Sequence, residues 1–166
     1  MPLAGGAVPP PTFFESLIPL FHAEWHPTGV AITQAVTLPG QVVVSFLIVL
    51  LSAWKLRAPW WVAAWLGATI VEAVIRHILT RPELYRGGVH LTGFDASWPS
   101  GHALHFALVA AVLATAWPLL RAPLAAWLAA AAVLLAVAGF HTPTDVAGGL
   151  LLAVLALLTG RALRQA

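Results

Sequence analysis

Residues 98–119 read Trp98-Pro99-Ser100-Gly101-His102 and then ALHFALVAAVLATAWPL (103–119). A polar turn opens directly into an apolar run that closes on Trp117 and Pro118. A bilayer's hydrocarbon core takes about 20 apolar residues of helix, so the run reads as a membrane span with Ser100 as its cap. Outward from it the pattern repeats, with spans expected at roughly 37–54, 59–79, 100–119, 123–140 and 144–162. Composition agrees: of the 166 residues 60% are hydrophobic and 8% charged, and mean hydropathy is +0.89. A soluble domain carries about 25% charged residues, so this chain lacks the polar groups to cover a water-facing surface. The expectation is an all-α polytopic membrane bundle of about five transmembrane helices. Residues 1–36 form an N-terminal segment and 37–166 one membrane domain. Within the N-terminal segment, Pro11 to His22 is apolar around a lone Glu15 and too short to span, which suits an amphipathic helix in the interface.

Several function classes drop out. With no cysteine, disulfides and thiolate chemistry are excluded. The sequence pI is about 9.9 but the net charge is only +2, and no basic cluster or RNA-binding motif is present, so no nucleic-acid partner is expected. Met1 to Pro11 is rich in glycine and proline without a basic n-region, so the first span is expected to serve as the insertion signal.

The hairpins Lys55-Leu56-Arg57-Ala58-Pro59 and Arg121-Ala122-Pro123 are short and basic, and with Arg161 and Arg164 they put a cationic excess on one face with no acidic residue. Glu15, Glu24, Glu83, Asp95 and Asp145 fall on the other, beside Arg76, Arg81 and Arg86. Excess Lys and Arg mark the cytoplasmic side, so the 80–99 loop is expected to face the periplasm or cell exterior of a bacterial plasma membrane. Trp54, Trp60, Trp61, Trp117 and Trp127 are expected to ring the inner boundary, with Trp25 and Trp98 at the outer one. In this topology Arg76 and Arg81, His102, His141 and Asp145 all converge on one outward layer.

What these residues can do is specific. Ser100-Gly101-His102 opens a helix, where backbone N–H groups and the dipole favour an anion, and glycine permits close approach of a phosphate oxygen. Taken alone, Ser100 is an ordinary N-cap. His141 and Asp145 are four apart, so the carboxylate can accept the imidazole Nδ1–H and leave Nε2 as nucleophile or base. Alone, Asp145 is equally a helix N-terminal residue favoured by the dipole. Together with His102 in the same layer, the set reads as a catalytic group. Arg81 lies in the loop layer and Arg76 about one turn inside, where Glu72 is its i−4 neighbour. Phosphate contact and a structural Glu72–Arg76 pair are both open to Arg76.

These residues resemble the type 2 phosphatidic acid phosphatase superfamily, whose pattern runs KxxxxxxRP, then PSGH, then SRxxxxxHxxxD. Pro99-Ser100-Gly101-His102 matches the second part completely, and His141 and Asp145 match the HxxxD of the third. The likeness covers about residues 40–160. It implies a lipid phosphatase in which His141 forms a phosphohistidine, Asp145 orients it and His102 protonates the leaving oxygen. Arg81, Arg76, Ser100 and Gly101 would bind the phosphoryl oxygens, and neither metal nor cofactor is needed. The implied substrate is a polyprenyl phosphate or diphosphate, or a phosphatidate-like lipid. The departures are in the cations: the Ser-Arg pair falls on Leu134 and Leu135, and with Arg81-Pro82 as RP the lysine position holds Val74, while the other register puts Arg76 on the lysine and Glu83-Leu84 on the RP. The fold usually has six helices, and the sixth place falls to the interfacial helix or to another chain, in a homo-oligomer or with a partner membrane protein. Two other readings stand beside the enzyme. One is a slow or non-catalytic lipid-phosphate binder. The other is a metal site built from His102, His105, His141 and Asp145.

Overall fold

The computed structural model describes residues 27–79, 98–137 and 140–165. Among these the chain forms six α-helices and no strand: α1 (Pro27–Thr37), α2 (Val42–Leu56), α3 (Trp60–Ile78), α4 (Gly101–Ala116), α5 (Arg121–Val137) and α6 (Pro143–Gln165). The all-helical membrane architecture is therefore as the sequence implies. The expected interfacial helix at 11–22 and Arg81 lie outside the described residues.

Among the described residues, length and composition do not reach the expected five spans. Trp60–Ile78, Pro118–Val137 and Pro143–Ala162 qualify, and a fourth is obtained if 31–40 and Val42–Leu56, bent by 43°, count as one. The bend has a cause in the sequence. Leu38-Pro39-Gly40 forms a 3-10 turn whose proline supplies no N–H, and the chain restarts as helix after Gln41. The run that suggested a span over 100–119 makes a 16-residue helix, because Trp117-Pro118 turns it into a 3-10 segment, Pro118–Leu120. Its place makes up for its length. Apart from His102, His105 and Thr115 it is apolar, and it packs on α2, α3, α5 and α6 and buries Leu104, Phe106, Leu108, Val109 and Val112 to 1% exposure or less. A helix so largely apolar belongs in the middle of a bundle.

Hydroxyls inside the bundle are answered locally, as an environment without water demands. Thr37 and Thr69 donate to the carbonyls four residues back, at 2.8 and 2.9 Å, and the exposed Thr115 does the same at 2.8 Å. Trp65 Nε1–H donates to Ser45 Oγ at 3.1 Å, joining α3 to α2. Trp61, expected at the membrane boundary, is instead a core residue at 3% exposure, whereas Trp54 is 81% exposed. Trp127 Nε1–H donates to the Val36 carbonyl at 3.0 Å and ties α1 to α5.

The two ends of the bundle are chemically distinct. At one end Lys55 Nζ lies 4.5 Å from the centre of the Trp117 ring, so the α2–α3 and α4–α5 hairpins share a layer. At the other, the Ser100 N–H donates to the Asp145 carbonyl at 2.9 Å, bringing together the starts of α4 and α6.

Candidate active site

The turn before α4 is built by its own residues. Ser100 sits at the N-cap in an extended conformation, and its side-chain oxygen accepts the Ala103 N–H at 3.2 Å. The peptide bond between Trp98 and Pro99 is cis. Ser100 is fully buried, and its backbone reaches α6 because that helix presents glycines there. A Cβ on Gly149 would overlap the Ser100 carbonyl, and one on Gly148 would overlap the Trp98 indole. The two glycines that follow the HxxxD pattern thus let the two motifs pack backbone to backbone.

His141 is positioned from both sides. Before it, α5 ends with the Leu135 carbonyl accepting two N–H groups, from Phe140 at 2.9 Å and from His141 at 3.0 Å. After it, Thr142 caps α6, with proline at the first helical position where no N–H is needed. Asp145 N–H donates to Thr142 Oγ1 at 3.2 Å and Thr142 N–H donates to Asp145 Oδ2 at 2.8 Å. This reciprocal pair is a capping box with Asp at its third position. The same Oδ2 lies 3.8 Å from His141 Nδ1, at ion-pair distance. Asp145 is fully buried and His141 9% exposed. Catalytic contacts of this kind commonly tighten once substrate is bound.

The imidazoles of His102 and His141 face each other with ring centres 6.3 Å apart and planes at 53°. An attacking nitrogen stands about 3–3.5 Å from its target before reaction. A donor to the leaving oxygen stands about 2.7–3.2 Å from it. The separation of the two rings does not exceed what one phosphate group can bridge. His102, His141, Asp145, Ser100 and Gly101, all named from sequence, are brought into one layer.

Arg76 is close by but engaged elsewhere. Its Nε is 2.9 Å from Glu72 Oε1, and its Nε and Nη2 donate to the Pro99 carbonyl at 3.2 and 2.9 Å. Glu72 is only 7% exposed. A surface pair at this spacing is worth about 0.3–0.5 kcal/mol, whereas one charged residue in a membrane interior costs about 2.5–3.5 kcal/mol on insertion scales. Only a well-made pair with further hydrogen bonds offsets that cost, and the Pro99 carbonyl supplies them.

His105 takes no part in the facing pair. Its ring stacks on Trp65 with centres 5.2 Å apart, and Nε2 lies 3.1 Å from Thr69 Oγ1 and 3.9 Å from Glu72 Oε2. Among the described residues no group of three or more His, Cys, Asp or Glu side chains is placed to hold a metal ion. Leu135, at the register position of the family arginine, is 1% exposed and packs with Ala103, Phe106, Ala131 and Val146. The capping role of Thr142 escaped the sequence reading, although the spacing Thr142-Pro143-Thr144-Asp145 is a visible Thr-x-x-acid signal.

The family model described as the PAP2 superfamily matches residues 73–165, more than half of the chain. No curated protein and no solved structure matches it.

Proposed function

Because the chain belongs to the PAP2 superfamily, whose members are typically phosphatases acting on phosphate esters, often of lipids, we propose that it hydrolyses the phosphate of a membrane lipid through a phosphohistidine. The observation that carries this reading is the facing pair, His102 and His141 at 6.3 Å between ring centres, with Asp145 on the far nitrogen of His141. His141 Nε2 attacks the terminal phosphorus, and its bond to the leaving oxygen (the lipid's own in a monophosphate, the bridging one in a diphosphate) breaks as His102 passes that oxygen a proton. Asp145 holds the imidazole by Nδ1 and stabilises its positive charge. Water, deprotonated by His102, then cleaves the N–P bond and releases inorganic phosphate. The Gly101 and His102 N–H groups at the head of α4 and Arg81 in the loop stabilise the phosphoryl oxygens, normally the largest catalytic contribution. The substrate class is a polyprenyl phosphate or diphosphate or a phosphatidate-like lipid, and the step needs no metal. The site faces the periplasm or exterior, and the hairpins with Lys55, Arg57 and Arg121 face the cytoplasm.

Leu135 favours a second reading. A buried leucine where the family has a phosphate-binding arginine suits a slow enzyme, or a lipid-phosphate binder without turnover. One assay separates the two. Purified protein is incubated with phosphatidate, a polyprenyl diphosphate and a polyprenyl monophosphate, with and without chelator, beside His141→Ala. Phosphate release that survives chelation and is lost in the variant supports the enzyme. Lipid binding without release supports the binder, and chelator-sensitive release returns the metal reading.

A further inference from the structure

We infer that Glu72 and Arg76 act as a partly buried clamp that positions the Pro99–His102 turn, and through it His102, and that Arg76 is therefore a positioning residue for the reaction proposed above. The kinetic part of this inference rests on the phosphatase reading; the structural part does not.

Three contacts join α3 to the first turn of α4 at one level. The Arg76 guanidinium donates through Nε and Nη2 to the Pro99 carbonyl, the last acceptor before the helix begins. That carbonyl precedes the N-cap and has no place in the helical ladder of α4. Glu72 Oε1 fixes the guanidinium from below at 2.9 Å. The same carboxylate lies directly under Gly101, where a Cβ would overlap Oε1 and come within 3.2 Å of Arg76 Nη2. Its other oxygen, Oε2, faces His105 Nε2 at 3.9 Å, one turn along α4 from His102. The glycine of the PSGH motif is thus required on its inner side by a buried carboxylate, independently of any phosphate on its outer side.

The geometry also limits what Arg76 can offer a substrate. Bidentate recognition of phosphate by arginine uses two parallel N–H groups along one edge of the guanidinium. The Nε–Nη2 edge of Arg76 is already spent on Pro99 and Glu72. A lysine at position 76 could not serve both, since a single ammonium cannot reproduce a planar fork. The Nε–Nη2 edge is thus committed to holding the turn from which His102 projects, which leaves only the Nη1–Nη2 end for any other acceptor.

The test uses full-length protein in lipid nanodiscs with Glu72→Gln and Arg76→Lys, the latter preserving the charge. Hydrogen exchange is followed over the peptide containing residues 98–106 and, as reference, over α5. Exchange at the start of α4 is expected to quicken about tenfold or more in both variants while α5 is unchanged, the mark of a local opening. With the lipid phosphate that wild type hydrolyses best, kcat is expected to fall about 10–100-fold with KM within about threefold, as for a misplaced catalytic group. Unchanged exchange over 98–106 in both variants overturns the clamp. So does Arg76→Lys raising KM with kcat retained, which makes Arg76 a substrate ligand. Glu72→Gln/Arg76→Lys should be no worse than its worse parent, because the two act as one unit; additive losses contradict this. If wild type releases phosphate from no lipid, the phosphatase reading falls and the exchange measurement alone decides the clamp.

Discussion

One oxygen of Asp145 serves two neighbours. Oδ2 accepts the Thr142 N–H that starts α6 and lies at ion-pair distance from His141. The two services respond differently to substitution. Asp145→Asn keeps an oxygen for the cap but loses the charge that orients and stabilises an imidazolium. Its kcat is expected to fall by about 10²–10⁴, as when the acid of a Ser-His-Asp triad is made an amide, with little change in melting temperature. Asp145→Ala loses the cap as well and should cost about a further 1 kcal/mol of stability. Turnover and thermal unfolding, measured on both variants, separate the roles. The sequence placed His141 and Asp145 together through their spacing and left capping and catalysis as alternatives for the carboxylate. The structure shows the capping bonds and sets the same carboxylate beside the imidazole, because the turn of chain that caps α6 also carries the histidine. Arg76 was less legible. Its pairing with Glu72 follows from helical spacing, but its bond to Pro99, 23 residues on, is tertiary and has no local signal.

Among the elements, α5 and α4 show where pattern reading succeeds and where it stops. Proline and basic residues marked both hairpins, and the helices turn at them. The length of α4 was overestimated because an apolar run continues through Trp117-Pro118, where the backbone changes to a 3-10 turn. Register counting placed the family arginine on Leu135, and the fold adds what that position does. Leu135 fills the core beside Phe106 and Val146, and its carbonyl holds His141 from behind. Restoring the family residue is therefore expected to damage the protein. Leu135→Arg should lower stability by about 3 kcal/mol, the order of an arginine's cost inside a membrane, and should not raise turnover. A variant with an undiminished melting temperature and faster phosphate release would show that the pocket reaches Leu135 after all.

For the whole molecule, the segregation of charge was the most readable property. Lys55 stacked on Trp117 brings the two basic hairpins together at one end, as charge counting required, and the Ser100–Asp145 bond brings the two motifs together at the other. Orientation in the membrane can be tested without background, since the chain has no cysteine. Leu119, 95% exposed beside the basic hairpin, offers a site for one. Leu119→Cys is expected to be protected from an impermeant maleimide in intact cells and labelled once the membrane is opened. Labelling in intact cells would invert the topology and place the histidines on the cytoplasmic side.

The hydrogen bond from Ser100 to Asp145 also has a meaning in time. Synthesis delivers α4 to the membrane before α6, so for an interval the Ser100 N–H lacks the Asp145 carbonyl and His102 lacks the facing ring of His141. An orphaned donor out of reach of water costs about 1–3 kcal/mol, which favours docking of the later helix as soon as it inserts. The half-site on α4 is in this way left unfinished until α6 arrives to complete it.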